Sequence, residues 1–403
     1  MSDFSNKLRE YARQLVCLGV NIQPGETLVI YSPVECAQLV RLCTEEAYAA
    51  QCREVIVGWK DDFIERERFL HADVAVFDKY PEFERIIYEA AANPDTCLLE
   101  FYSVNPHNLD GVEPGWIVAA RRAKMEAVEP YYSLMERGNG IRCTASPPIE
   151  ATAGLIFPNL SPDKAAAAQW DRIFRALKID GECDSIAAWT KYLELVELRC
   201  KKLNSFQLRS LQYKNALGTD FELRLPESSI WTTARGLKKS GKPYMKNFPS
   251  EEIYTVPEKF GINGSVCASI PLVYQGSLIE NMRLEFSGGR VVKAEASSGQ
   301  EQLEALLSVD KGARYLGEVA LVPADSSIRD DGGTWFNPLY DENSSCHLAL
   351  GDAISSCYDK ARDSCNSSAI HIDFMIGTDD MCVTGKTASG EEIPILRDGK
   401  YVI

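Results

Sequence analysis

The stretch with the most chemistry in it is 366–377, Asn-Ser-Ser-Ala-Ile-His-Ile-Asp-Phe-Met-Ile-Gly. Read as a strand, it puts Ile372, Phe374 and Ile376 on one face and His371 and Asp373 on the other. A strand with an apolar side and a His-x-Asp side aims two metal ligands into one cavity, because imidazole and carboxylate are the usual donors for zinc and similar ions. A solvated strand face would carry the same two residues, so this segment does not decide alone.

Three more segments carry acids or histidine. In 339–353, Asn343 or Ser344 can cap a helix, which places His347 in its first turn. The chain has four histidines, and the other two, His71 and His107, lie in the first half. In 315–323, Glu318 follows Gly317 at the start of an apolar strand, a placement that suits a ligand or a cap better than core. In 246–257, Glu251 and Glu252 stand side by side on a predicted strand, so they point to opposite faces and only one can enter a shared site. Taken singly, each glutamate also reads as an ordinary surface charge. Taken together, two histidines, one aspartate and two glutamates suffice for two divalent ions about 3.5–4 Å apart and bridged by a carboxylate. Such a site polarises a carbonyl, lowers the pKa of a bound water and can anchor a free amino group.

Those side chains need a scaffold, and the chain of 403 residues is long enough for two or three domains. Its 45% hydrophobic and 25% charged residues are those of an ordinary globular protein. A net charge of −15 excludes a general nucleic-acid-binding surface, which needs clustered Lys and Arg. The polar start does not read as a signal peptide, and no apolar run approaches the roughly 18 residues of a membrane span. Thirteen scattered cysteines without CxxC pairs read as reduced thiols, so the expected location is the cytosol.

The first half alternates helix and strand. Leu8, Tyr11, Leu15 and Leu18 make a helical stripe, and a turn at Pro24-Gly25 leads into the apolar run 27–31. A second helix over 36–50 and a strand over 54–59 complete a βαβ unit, which implies a parallel sheet. The runs 74–77 and 96–101 are read as further strands. Neither GxGxxG nor a Walker loop follows any of them, so the domain is read as structural or substrate-shaping. After the helical stretch 185–203, short alternating segments such as 205–209, 220–225 and 281–286 predict antiparallel strands. The expected division is an α/β domain over 1–203 and a β-rich α+β domain over 204–403.

Segments 247–257, 315–323, 339–353 and 366–377, matched in order, resemble the thermophilic metalloprotease family of aminopeptidases, and the likeness covers essentially the whole chain. The resemblance implies an N-terminal α/β domain, a β-rich catalytic domain, a homodimer and peptide substrates. It implies two divalent ions (zinc, cobalt, manganese or magnesium) held by Glu252, Glu318, His347, His371 and Asp373. The family pattern favours Glu252 over Glu251, as a ligand that can double as a catalytic carboxylate. One departure stands out: the pattern carries a tyrosine seven residues after the second-segment histidine, where this chain has Ile354. On the predicted helix, position 354 shares the face of His347, while Tyr358 lies too far along it to reach back.

Two other readings compete. Dihydroxypyridine dioxygenases share this fold by resemblance, and His347, His371 and Asp373 could form a facial triad for one iron, leaving Glu252 and Glu318 without a task. A repurposed binding protein that keeps the ligands but has lost the tyrosine's function is the third.

Overall fold

A computed structural model describes residues 3–103, 105–136, 139–181, 183–274, 277–329, 333–361 and 363–403. The chain divides into two compact units, 1–190 with 235–250, and 191–234 with 251–403. The sequence boundary near Asn204 falls inside the helix Ser185–Phe206, and the return of 235–250 to the first unit leaves no mark in the composition.

The first unit is built on a four-stranded parallel sheet in the order Glu54–Lys60, Thr27–Pro33, Thr96–Phe101, Ile141–Ala145. All residues of Thr27–Pro33 and Thr96–Phe101 are buried, as expected for central strands covered on both faces. The helix Asp3–Gln14 buries Leu8 and Tyr11, two residues of the predicted stripe. The helices Glu82–Ala91 and Pro114–Glu136 contribute Tyr88, Ala91, Val128 and Met135 to a core with Val29, Tyr31 and Leu98. One predicted strand is wrong: 74–77 is a short 3-10 turn, Val74–Asp78, with Asp73 capping its start through Ala75 N–H. Its apolar residues serve a satellite core, where Phe77 stacks on Phe69 and Trp116.

The second unit is strand-rich and antiparallel. An eight-stranded sheet includes Leu208–Lys214 and Asp220–Arg224; the first begins later than predicted, because Ser205 and Phe206 still belong to the preceding helix. A five-stranded sheet runs His371–Met375, His347–Gly351, Leu316–Leu321, Ile253–Thr255, Thr232–Thr233. Its apolar face supplies Ile253, Val319, Leu321, Leu348, Leu350 and Phe374 to the main core, together with Leu211, Phe221 and Val266 of the larger sheet. The other face is where the chemistry collects. Among the described residues no helix is long and apolar enough to cross a membrane.

Candidate metal centre

His371–Met375 is the strand the sequence predicted, with His371 and Asp373 on the face opposite Ile372 and Phe374. His347 is not helical. Asn343 and Ser344 close the helix Pro338–Ser344 instead of opening one, and His347 begins the strand His347–Gly351. Leu348 and Leu350 take the core side, which leaves His347, Ala349 and Gly351 on the site side. The argument about a shared helical face for Ile354 falls with that helix: Ile354 precedes a 3-10 turn, Ser355–Cys357. Glu251 and Glu252 lie just before the strand Ile253–Thr255 rather than on it, yet they do point to different surroundings.

Glu318 reaches the same face by an irregularity. The pairing of its strand with His347–Gly351 shifts register between Leu316 and Glu318, and such bulges re-aim side chains. Gly317 sits at the shift, where an added Cβ would stand 2.0 Å from the carbonyl oxygen of Asp352. That close approach holds the Asp352 carbonyl where it accepts from His371 Nδ1 at 2.8 Å.

The ligand atoms fall into two overlapping groups. Glu252, Glu318 and His347 form one, and Glu318, His371 and Asp373 the other, with the atoms of each group within 4.8 Å of one another. His347 Nε2 lies 3.3 Å from Glu252 Oε2 and 3.8 Å from Glu318 Oε1. His371 Nε2 lies 3.0 Å from Glu318 Oε2 and 3.4 Å from Asp373 Oδ1. Each Nδ1 is spoken for by a backbone carbonyl, Ser345 at 3.0 Å for His347 and Asp352 for His371. An imidazole whose Nδ1–H is fixed this way turns Nε2 inward as a metal donor. Asp373 Oδ1 is buried and makes no hydrogen bond, although buried carboxylate oxygens are normally satisfied. These residues therefore fit a divalent cation: hard oxygen donors, two oriented imidazoles and an orphaned oxygen.

Charge points the same way. Burial raises the pKa of Glu252, and Glu318 and Asp373 add to the rise against the lowering pull of His347. For His347, burial lowers the pKa, but Glu252 and Glu318 outweigh it and leave the imidazole well above its usual range. His371 behaves likewise under Asp373 and Glu318. Asp373 moves down, because His371 and His347 outweigh its burial.

Sequence reasoning missed Glu342. This half-buried residue sits on the helix Pro338–Ser344, and its carboxyl is raised well above the usual range by burial and then by Glu252 and Asp373. The helix is held by Asp341, which accepts from Trp335 N–H at 2.7 Å and Asn337 N–H at 3.1 Å, and by Asn343, whose Oδ1 accepts from Glu251 N–H. Its sequence signal was an acid inside the segment 339–353, five residues before His347. Glu251, by contrast, accepts from Tyr192 Oη at 2.8 Å and Ser327 Oγ at 2.6 Å and has no part in either ligand group.

A sequence profile of the thermophilic metalloprotease (M29) family matches residues 4–401. Aminopeptidase AmpS of Bacillus subtilis is 34% identical over 410 residues, covering all of both chains. Aminopeptidase 2 of Geobacillus stearothermophilus is 35% identical, covering all of this chain and 99% of its own. The structure of wild-type AmpT from Thermus thermophilus superposes with a TM-score of 0.92 at 30% identity, over 99% of this chain and all of that one. A 2,5-dihydroxypyridine dioxygenase from Pseudomonas putida shares the fold alone, with a TM-score of 0.51 at 11% identity over 99% of this chain and 96% of that one. With its four acid and histidine segments gathered on one sheet face and its full length matched, the chain belongs to the thermophilic metalloprotease family, whose members hydrolyse peptide bonds with the help of a metal.

Proposed function

We propose that the protein is an aminopeptidase whose centre holds two divalent ions, one between Glu252, Glu318 and His347 and one between Glu318, His371 and Asp373. The observation that carries this reading is the shared Glu318, whose two oxygens face different imidazoles. When bound, the ions would polarise the scissile carbonyl and make a water acidic enough to attack near neutral pH. Glu342, raised well above the usual carboxyl range beside Glu252 and Asp373, is the group placed to hold or move a proton during attack and departure of the amine. The ammonium of a free peptide terminus is drawn to a cluster of four carboxylates, which favours chain ends over internal bonds. The dioxygenase reading uses His347, His371 and Asp373 but gives Glu252 and Glu318 nothing to do.

The test is metal counting beside turnover. Protein stripped with chelator and reloaded with zinc, cobalt or manganese is expected to bind two ions per chain and to release the N-terminal residue from aminoacyl p-nitroanilides. One ion per chain would refute the paired arrangement, and oxygen uptake with iron would favour the oxygenase. The family reading also brings a homodimer and a cytosolic location, which sedimentation and fractionation would check.

A further inference from the structure

The face that carries the ligands also carries a phenol. The registers of the five-stranded sheet put Tyr254 opposite Ala320, Ala320 opposite His347, and His347 opposite Met375. Directly opposed residues in antiparallel strands project from the same face. Tyr254 and His347 therefore flank Ala320, two strand spacings or about 10 Å apart at the backbone. Only a methyl group stands between them. A tyrosine side chain lying over Ala320 spans most of that gap.

The surroundings of Tyr254 do not suit an ordinary core aromatic. The residue as a whole is buried, but it lies among acids rather than among apolar side chains alone. Its charged and polar neighbours are Glu252, Cys357, Glu318 and Glu342. Its apolar contacts are Val256, Ala320, Ala353 and Cys357, with Ile354 packed against the same cluster. Position 354, where the family resemblance calls for a tyrosine, and Tyr254 thus reach the same side of the centre.

We propose that Tyr254 is a catalytic residue of this centre, donating a hydrogen bond from its hydroxyl to the oxygen that gains charge when the peptide carbonyl is attacked. The O–H acts as a fixed dipole, the arrangement that stabilises a developing oxyanion. The inference rests on the aminopeptidase reading and explains how a chain with Ile354 retains a phenol at the site.

The experiment compares wild type, Tyr254→Phe and Tyr254→Phe/Ile354→Tyr, each loaded with the same metal. Tyr254→Phe is nearly isosteric, and melting temperature checks its fold. With leucine p-nitroanilide, Tyr254→Phe is expected to lower kcat about 10²-fold with little change in KM, the size of one lost oxyanion donor. Calorimetric affinity for an aminophosphonic acid, a tetrahedral anion, is expected to weaken by at least about tenfold, with metal per chain held at the wild-type value. The double variant is expected to regain at least about tenfold in kcat, because the phenol returns to the same cluster. Turnover and phosphonate affinity both within twofold of wild type in Tyr254→Phe would overturn the assignment. Wild-type protein without turnover on any aminoacyl substrate would instead overturn the aminopeptidase reading, and phosphonate affinity would still report on Tyr254.

Discussion

Glu100 in the first unit and Glu252 in the second are about equally buried, 4% and 5% exposed, yet their carboxyl groups shift in opposite directions. Burial pushes both pKa values up. For Glu100, Arg142, Lys124 and Lys60 overcome it and bring the carboxyl down to about 2. Arg142 Nε sits 2.7 Å from Glu100 Oε2, Tyr88 Oη donates to Glu100 Oε1 at 3.1 Å, and the guanidinium lies over the Tyr132 ring. For Glu252 the one opposing group is His347, while Glu318 and Asp373 push further up. The first unit thus buries an acid together with the cations that neutralise it. The second gathers Glu252, Glu318, Glu342 and Asp373 around two imidazoles and leaves negative charge to be met from outside. A buried acid balanced within the protein is architecture; acids gathered without enough cations mark a site that takes a cation.

The largest effect should come from the acid-rich side. His371→Ala or Asp373→Ala is expected to lower kcat/KM by more than about 10²-fold, beyond the loss of a single oxyanion donor. Bound metal measured by mass spectrometry should fall with it, while the far-ultraviolet circular dichroism spectrum stays that of wild type. Full metal content with near-normal turnover in either variant would sink the ligand assignment. The neighbouring glutamates sharpen the contrast within one dipeptide. Glu252→Gln should cost about 10²-fold in turnover, because it removes a charged group of the centre. Glu251→Gln should leave turnover within a few-fold and lower stability by about 1–3 kcal/mol, since Glu251 is tied to Tyr192 and Ser327. The reverse ranking would move the centre by one residue.

What was legible in the chain followed from short periods. The alternation over 371–376 located a strand with His371 and Asp373 together on one face, and Gly317 before Glu318 marked a strand entry that became a bulge. The parallel sheet followed from runs such as 27–31, which are apolar on both faces because both are covered. His347 was misplaced because Asn343 and Ser344 have the chemistry of a helix cap, and they end a helix rather than begin one. The correct signal was present: His347, Ala349 and Gly351 alternate with Leu348 and Leu350, a period of two. Glu342 and Tyr254 were not recognised, because what makes them unusual is neighbours brought together across strands or from a helix, and no local spacing encodes that. The excursion 235–250 was hidden for the same reason.

The balanced side of the comparison can be broken by removing its cation. Arg142→Leu leaves Glu100 buried and short of its nearest partner, and such losses typically cost about 3–5 kcal/mol. Lys60 and Lys124 still act on Glu100, so a value at the lower end is expected from urea unfolding. Adding Glu100→Gln to Arg142→Leu should recover part of that loss, because the uncompensated charge disappears. Additive costs in this double-mutant cycle would show that the pair is not coupled and that the contrast with the metal centre is overdrawn.

The smallest effect lies in acid. Glu100 carries a folded-state pKa of about 2 against an ordinary value of 4.5, so its depressed pKa stabilises the folded state above pH 4.5. That contribution is lost as pH falls from 4.5 towards 2, because protonation then favours the unfolded chain. Each unit of pKa is worth about 1.36 kcal/mol, so the full window is worth about 3 kcal/mol and the stretch from pH 4.5 to 3 about 2 kcal/mol. Other carboxyls titrate over the same range, among them Asp373, Asp310 and Asp380, all held low. The quantity to measure is therefore the difference in unfolding free energy between wild type and Glu100→Gln, in which those common groups cancel. The wild-type advantage over Glu100→Gln should be largest near neutral pH and shrink by about 2 kcal/mol on going to pH 3. A difference that stays flat across that range would mean Arg142 does not hold Glu100 ionised, and the two buried acids would no longer be opposites.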